Sequence, residues 1–450
     1  MRLIVVLTTS CILLITSCTL LLAGEKPLEE NKTAKPPGQS EKLTPETPMG
    51  NMKAERRSLA HRKRRIIMNN DGHDLNSDQQ SSMSVTPQTF LQQRTSPLLG
   101  SQVGAIFYGT QGPFNSYTLR SSGVTDVSDL SKNKWARELI QQGNDPLELI
   151  TDFCHHNNME TFWSMRMNYT NTDSSKDTMP PWKLKHPDCL MGTRGSKFPF
   201  GSNRWTSLNY GLPEVREQVF KIFQDVCSRY DIDGVELDFC RWPVFFKPQM
   251  LGEPVTQEHR DMMTGLLAQI REMAEEIGRK RKHPLLISVH VTDSVSYNKA
   301  IGLDVERWLK DGLIDILVAG SANHFDPWEK ITSLGHKYNV PVYIYLCNDR
   351  LANKKMEKDD LDLRVWRGQA LKAWDAGADG IYVFNWSVPD HSIFRELGDP
   401  EILRKREHIY NNIFGEAFWA NILKNGVSFR TIPANIKADP SKKESKGNGK

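Results

Sequence analysis

The chain has 450 residues, 38% of them hydrophobic and 25% charged, with a formal net charge of +4. That length accommodates one large or two medium domains, because single hydrophobic cores stop growing near ~250–300 residues. So small a positive balance, with lysine and arginine scattered or gathered in the tails, excludes a nucleic-acid face as the basis of function. In chain order, Arg2 precedes an uncharged, largely apolar run over residues 3–24, which reads as a secretory signal peptide or a signal anchor long enough to span a membrane. The segment around Cys18 also resembles a lipoprotein box, although the apolar run continues past it. Export is therefore expected, to the periplasm, the cell surface or the medium, with the N-terminal segment as the candidate membrane anchor. Residues 25–61 are rich in Lys, Glu, Pro, Ser and Thr and predict a disordered linker.

From residue 62 the pattern changes to short apolar runs alternating with amphipathic helical stretches. Strands are predicted at 65–70, 103–108, 160–168, 233–239, 284–291, 314–319, 341–346 and 380–385. Helices are predicted between them, among them 87–93, 145–157, 213–229, 256–280, 305–310, 328–338 and 361–376. Eight strands alternating with helices over residues 62–415 predict an α/β fold, a (β/α)₈ TIM barrel. A long insertion of 169–212 follows strand 3, and residues 416–450 form an extension expected to be disordered at its end. A doubly wound sheet fits less well, since no strand leads into a G-x-G-x-x-G turn or a phosphate loop. Beyond the leader the cysteines are Cys154, Cys189, Cys227, Cys240 and Cys347; their odd number and lack of C-x-x-C spacing predict small core residues rather than disulfides or a zinc site.

The chemistry is expected around the fourth strand, Asp233-Gly234-Val235-Glu236-Leu237-Asp238-Phe239. Residues two apart on a strand share a face, so Glu236 and Asp238 point together into the barrel, with Asp238 at the carboxyl end where barrel enzymes keep their active sites. Residues 208–216 (Leu-Asn-Tyr-Gly-Leu-Pro-Glu-Val-Arg) and 230–243, ending in Arg241-Trp242-Pro243, resemble the core motif of the glycosyl-hydrolase-like family ten proteins, exported bacterial barrels related to glycoside hydrolases. The family pattern places an aspartate where Asp238 stands and varies where Glu236 stands. The resemblance implies a barrel that takes a carbohydrate substrate.

Glycoside hydrolysis needs two carboxyl groups, and the expected catalytic set is Asp238 as nucleophile or base, with Asp293 first and Asp349 second as the partner acid, and Glu236 less secure. Candidate substrate contacts are Asp71, Arg166, Asn168, Arg241, Trp242, His290, Asp349, Asn385 and Trp386, at strand ends or in loops at the same end of the barrel. Arg241 is also a candidate for holding Asp238 ionised. No cofactor or metal is expected. Two other readings stay open: a non-catalytic carbohydrate-binding barrel, and a metal-dependent hydrolase using Glu236, Asp238, Asp71 and His290.

Overall fold

The computed structural model describes residues 48–75, 83–109, 124, 134–168, 170, 179–321, 323–347, 363–410 and 420–432. The apolar leader, the first part of the linker, Asp349 and residues 433–450 lie outside this set. Among the described residues no helix is long and apolar enough to cross a membrane.

Eight parallel strands close into a barrel in sequence order. They are β1 (Ile66–Asn70), β2 (Val103–Gly109), β3 (Glu160–Arg166), β4 (Gly234–Asp238), β5 (Leu286–Val291), β6 (Ile316–Ala319), β7 (Val342–Leu346) and β8 (Gly380–Phe384). The predicted (β/α)₈ architecture is therefore observed. Period-two alternation sorts each strand's residues. Outward residues such as Val235 and Leu237 join the large core under the helices, while inward residues, Ile67, Phe107, Phe162, Leu286, Val318, Tyr343 and Tyr382 among them, fill the barrel.

Asp233 is a stitch between strands. Its backbone N–H donates to the Thr161 carbonyl (2.9 Å), and its carboxylate accepts from the Thr161 N–H (2.7 Å). Asp315 makes the same exchange with Ile287 and Asp379 with Val342, so β4, β6 and β8 are each preceded by an aspartate that ties them to the strand before. Gly234 follows for a steric reason: a Cβ there would stand 2.3 Å from the Phe162 ring and 2.7 Å from the Leu286 carbonyl oxygen.

The end of the barrel opposite the strand carboxyl ends is plugged by Arg64. Its guanidinium is fully buried, pairs with Glu160 at 2.7 Å and 2.8 Å, and donates to the carbonyls of Leu59 and Ala60. The linker expected through residue 61 is corrected here, because Pro48–Ala60 is a helix. Few large apolar residues mark it in the sequence; a buried arginine fixes it instead. Arg56 reaches Glu275 (2.6 Å) and Asp315 (3.3 Å). The ordered domain thus begins near Pro48 rather than at residue 62.

Candidate active site

Three rungs across β3, β4 and β5 lead up to the open end of the barrel. The lowest is apolar: Phe162, Gly234 and Leu286 are register neighbours. The next is Ser164, Glu236 and Ser288, and the last is Arg166, Asp238 and His290. Polarity rises toward the strand carboxyl ends, where barrel enzymes work.

Asp238 is 2% exposed. Its Oδ1 accepts the Cys240 backbone N–H at 2.8 Å and lies 3.0 Å from His290 Nδ1, while among the described residues nothing donates to its Oδ2. The histidine contact is an ion pair without a well-aligned hydrogen bond. His290 Nε2 faces the Gly320 carbonyl at 2.9 Å. A carbonyl only accepts, so Nε2 carries a proton; with a carboxylate at Nδ1 the ring is an imidazolium. Burial opposes that charge, but the Cys240 sulfur and the Asp238 carboxylate outweigh it and hold the His290 pKa well above the ordinary histidine value. Because burial also pushes the Cys240 thiol up, Asp238 is the anion that matters. For Asp238, burial alone would raise the pKa; the His290 charge, then the Arg166 charge and the Cys240 N–H, overcome it and hold the carboxyl below its usual value.

Glu236, one rung down, is fully buried. Ser164 Oγ (2.5 Å) and Tyr382 Oη (3.0 Å) both donate to its Oε2. Burial pushes its pKa up to about 7 against the pull of the His290 charge, and the Asp238 charge adds to burial. One strand therefore carries two carboxyl groups whose proton affinities have been driven apart.

Asp71, just past β1, closes the polar side. Arg166 Nη2 (3.0 Å) and Asn385 Nδ2 (2.8 Å) donate to its Oδ2, and Arg94 pairs with its Oδ1 at 3.3 Å. Arg94 also donates to Asn70 (2.9 Å), Asn385 (2.8 Å) and the Trp386 carbonyl (3.1 Å). The opposite wall is aromatic: Tyr345 stacks on His290 with ring centroids 5.0 Å apart, and Tyr382 and Phe384 lie beside it.

The predicted Asp71, Arg166, Glu236, Asp238, His290 and Asn385 thus come together, and others do not. Asp293 is fully buried and spoken for. It accepts from Phe325 N (3.0 Å), Trp328 Nε1 (3.2 Å) and His324, and so anchors the loop after β6. Asn168 is corrected likewise. Its amide grips the chain at Val244 and Leu208, which fixes the insertion to the loop after β4. Trp386 packs edge-on against Trp366 at 5.2 Å and is 7% exposed, so it offers no open ring face. Trp242 has Arg204 3.4 Å from its ring centroid. Arg241 sits 6.0 Å from the Phe384 centroid, and His290 with Arg166, not Arg241, keeps Asp238 ionised.

The metal-dependent reading finds little support in the donor set. Both His290 nitrogens face acceptors, and among the described residues no three His, Cys, Asp or Glu side chains group as ligands do. Cys154, Cys189, Cys227, Cys240 and Cys347 are free and buried. Arg94, Ser164, Tyr345 and Tyr382 were not predicted as site residues; carrying the inward-face rule along β3, β7 and β8 would have found the last three.

Residues 102–320 match the family Glycosyl hydrolase-like 10. The matched span runs from the residue before β2 to the residue after β6 and includes Arg166, Glu236, Asp238 and His290, so this part of the barrel is similar to that family. A comparison with curated proteins returns no match. Among solved structures, the chain is similar to alpha-L-fucosidase isoenzyme 2 from Paenibacillus thiaminolyticus, at 11% identity and a TM-score of 0.48, over 76% of this chain and 49% of that one. It is also similar to a glycoside hydrolase family 18 N-acetylglucosaminidase from Paenibacillus barengoltzii, at 10% identity and a TM-score of 0.41, over 76% of this chain and 98% of that one. The chain spans about half the length of the fucosidase. TM-scores below 0.5 leave the fold to be argued from the barrel itself and say nothing of substrate.

Proposed function

We propose that this barrel hydrolyses glycosidic bonds in an oligo- or polysaccharide, with Asp238 as the ionised carboxylate acting as nucleophile or base. The observation that carries the reading is the state of Asp238: anionic beside His290 and Arg166, at the carboxyl end of β4, with no donor to Oδ2 among the described residues. A glycosidase needs such a group below the anomeric carbon, where it attacks directly or takes a proton from water, while an acid protonates the leaving oxygen. The polar side from Asp71 to His290 suits sugar hydroxyls, and the Tyr345, Tyr382 and Phe384 side suits the apolar face of a pyranose. The leader at residues 3–24 supports action outside the cytoplasm, in exported or anchored form.

A carbohydrate-binding barrel without turnover is the second reading. It is favoured by the commitment of Asp293, the expected partner acid, to the β6 loop, and by the 2% exposure of Asp238. The deciding experiment is a panel of polysaccharides offered to the protein and to Asp238→Asn, with released reducing sugar and binding both measured. Release by the wild type and none by a folded Asp238→Asn supports hydrolysis. Binding without release supports the second reading, and release undiminished in Asp238→Asn removes Asp238 from the chemistry.

A further inference from the structure

We infer that Glu236 is a neutral carboxylic acid, protonated on Oε1, and that its lack of charge is what keeps Asp238 usable as an anion one rung above. It is thus a positioning residue for the hydrolysis proposed above, and the inference rests on that reading for its catalytic half only.

The argument starts from the two oxygens. Oε2 accepts from both Ser164 Oγ and Tyr382 Oη, whereas Oε1 is buried and among the described residues has no hydrogen-bond partner. An ionised carboxylate oxygen left bare inside a protein carries a desolvation cost that nothing here offsets. A protonated acid resolves the asymmetry, because its carbonyl oxygen takes two donors while its hydroxyl is the group left unpaired. That hydroxyl sits on the rung it shares with Ser288, whose Oγ is likewise buried and without a partner.

Among the described residues no cation pairs directly with Glu236, and the His290 charge that favours its anion is already committed to Asp238. Arg166 from β3 donates to Asp71, and His290 from β5 is paired with Asp238, the other carboxyl on β4. Tyr345 from β7 and Tyr382 from β8 present rings and hydroxyls, and Cys240 beside His290 is a neutral thiol. Two carboxylates two residues apart on one strand lie roughly 7 Å apart at the backbone, so ionising the lower one would set a second anion under Asp238 in a water-poor interior. Burial supports the same assignment, holding the Glu236 pKa at about 7.

This makes the site sensitive to mild alkalinity. If the neutral acid is the working form, raising the pH from 6 to 8 through a midpoint near 7 reduces that form about tenfold. The rate with the substrate found in the panel should fall about tenfold over that interval in the wild type. In Glu236→Gln, whose amide is neutral at every pH, the ratio between the two pH values should be close to one. Tyr382→Phe removes a donor that favours the anion, so its alkaline fall should move to higher pH.

A second readout does not need turnover. In the infrared difference spectrum, wild type minus Glu236→Gln, the carbonyl stretch of a protonated carboxylic acid should be present at pH 6 and should bleach with a midpoint near 7. Its absence at pH 6, or an unchanged alkaline fall in Glu236→Gln, overturns the inference. A band that titrates as expected in a protein that releases no sugar overturns the hydrolase reading alone and leaves the protonation of Glu236 established.

Discussion

His290 Nδ1 stands 3.0 Å from Asp238 Oδ1, and both side chains are all but inaccessible to solvent. A buried charge is tolerable only when paired, so each residue licenses the ionisation of the other. Replacing His290 by Gln removes the cation and leaves Asp238 with Arg166 as its nearby positive charge. We expect a loss of about 3 kcal/mol in stability, the scale of breaking a buried pair. The acid limb of the pH–rate profile should also move toward neutrality as Asp238 becomes harder to ionise. Chemical denaturation and the pH profile of sugar release measure the two effects.

Stability should also depend on pH, with a sign set by Glu236. Its folded pKa of about 7 lies above the ordinary 4.5, so its contribution is fully present below 4.5 and is lost as the pH rises through 7. At 1.36 kcal/mol per unit this is about 3 kcal/mol. His290 acts in the same direction, its raised pKa giving stability that is complete below 6.5 and is lost at higher pH. Asp238 acts the other way, contributing above 3.8 and losing its contribution only in acid. Thermal melts at pH 5 and pH 8 should therefore show a larger drop for wild type than for Glu236→Gln.

Asp293 should matter for folding and not for chemistry. Asp293→Ala strands the Phe325 N–H, the Trp328 indole and His324, and should cost roughly 3–5 kcal/mol. Asp293→Asn keeps one acceptor oxygen and should cost less. Because Asp293→Asn keeps an acceptor for the loop, and Gly320 of that loop still faces His290, sugar release per folded molecule in the Asn variant should stay near the wild-type value. A loss of release without a loss of stability would return Asp293 to the catalytic set.

Removal of the Pro48–Ala60 helix should destabilise the barrel, although the sequence marks it as part of a linker. Without Arg56, the buried Asp315 keeps only Arg271 and its backbone stitch to β5. A chain beginning at Arg62 should unfold at lower denaturant than one beginning at Pro48, by roughly 3 kcal/mol. Equal midpoints would mean that the helix is an appendage.

These cases mark where a sequence can be read. The barrel was legible because inward and outward residues alternate along each of the eight strands, and the same alternation put Glu236 and Asp238 on one face. What the sequence hides is long-range commitment. Asp293 looks as available as Asp238 until His324, Phe325 and Trp328 arrive from the next loop, and Asn168 looks like a sugar contact until Leu208 and Val244 close on it. The first helix escaped notice because hydrophobic periodicity is the signal sought, and this helix is held by an arginine.

Arg94 ties the two ends of the sheet, reaching Asn70 and Asp71 beside β1 and Asn385 with the Trp386 carbonyl beyond β8. Asp71 takes its Asn385 partner from the same seam. Nearly three hundred residues separate these groups, |i−j| being 291 for Arg94 and Asn385, so a chain leaving the ribosome cannot complete the ring until its last strand has emerged. The pocket wall is finished at the moment of closure, and until then β1 waits with the edge that β8 will cover unpaired. Premature termination before Gly380 should therefore yield an aggregating fragment, not a smaller working protein.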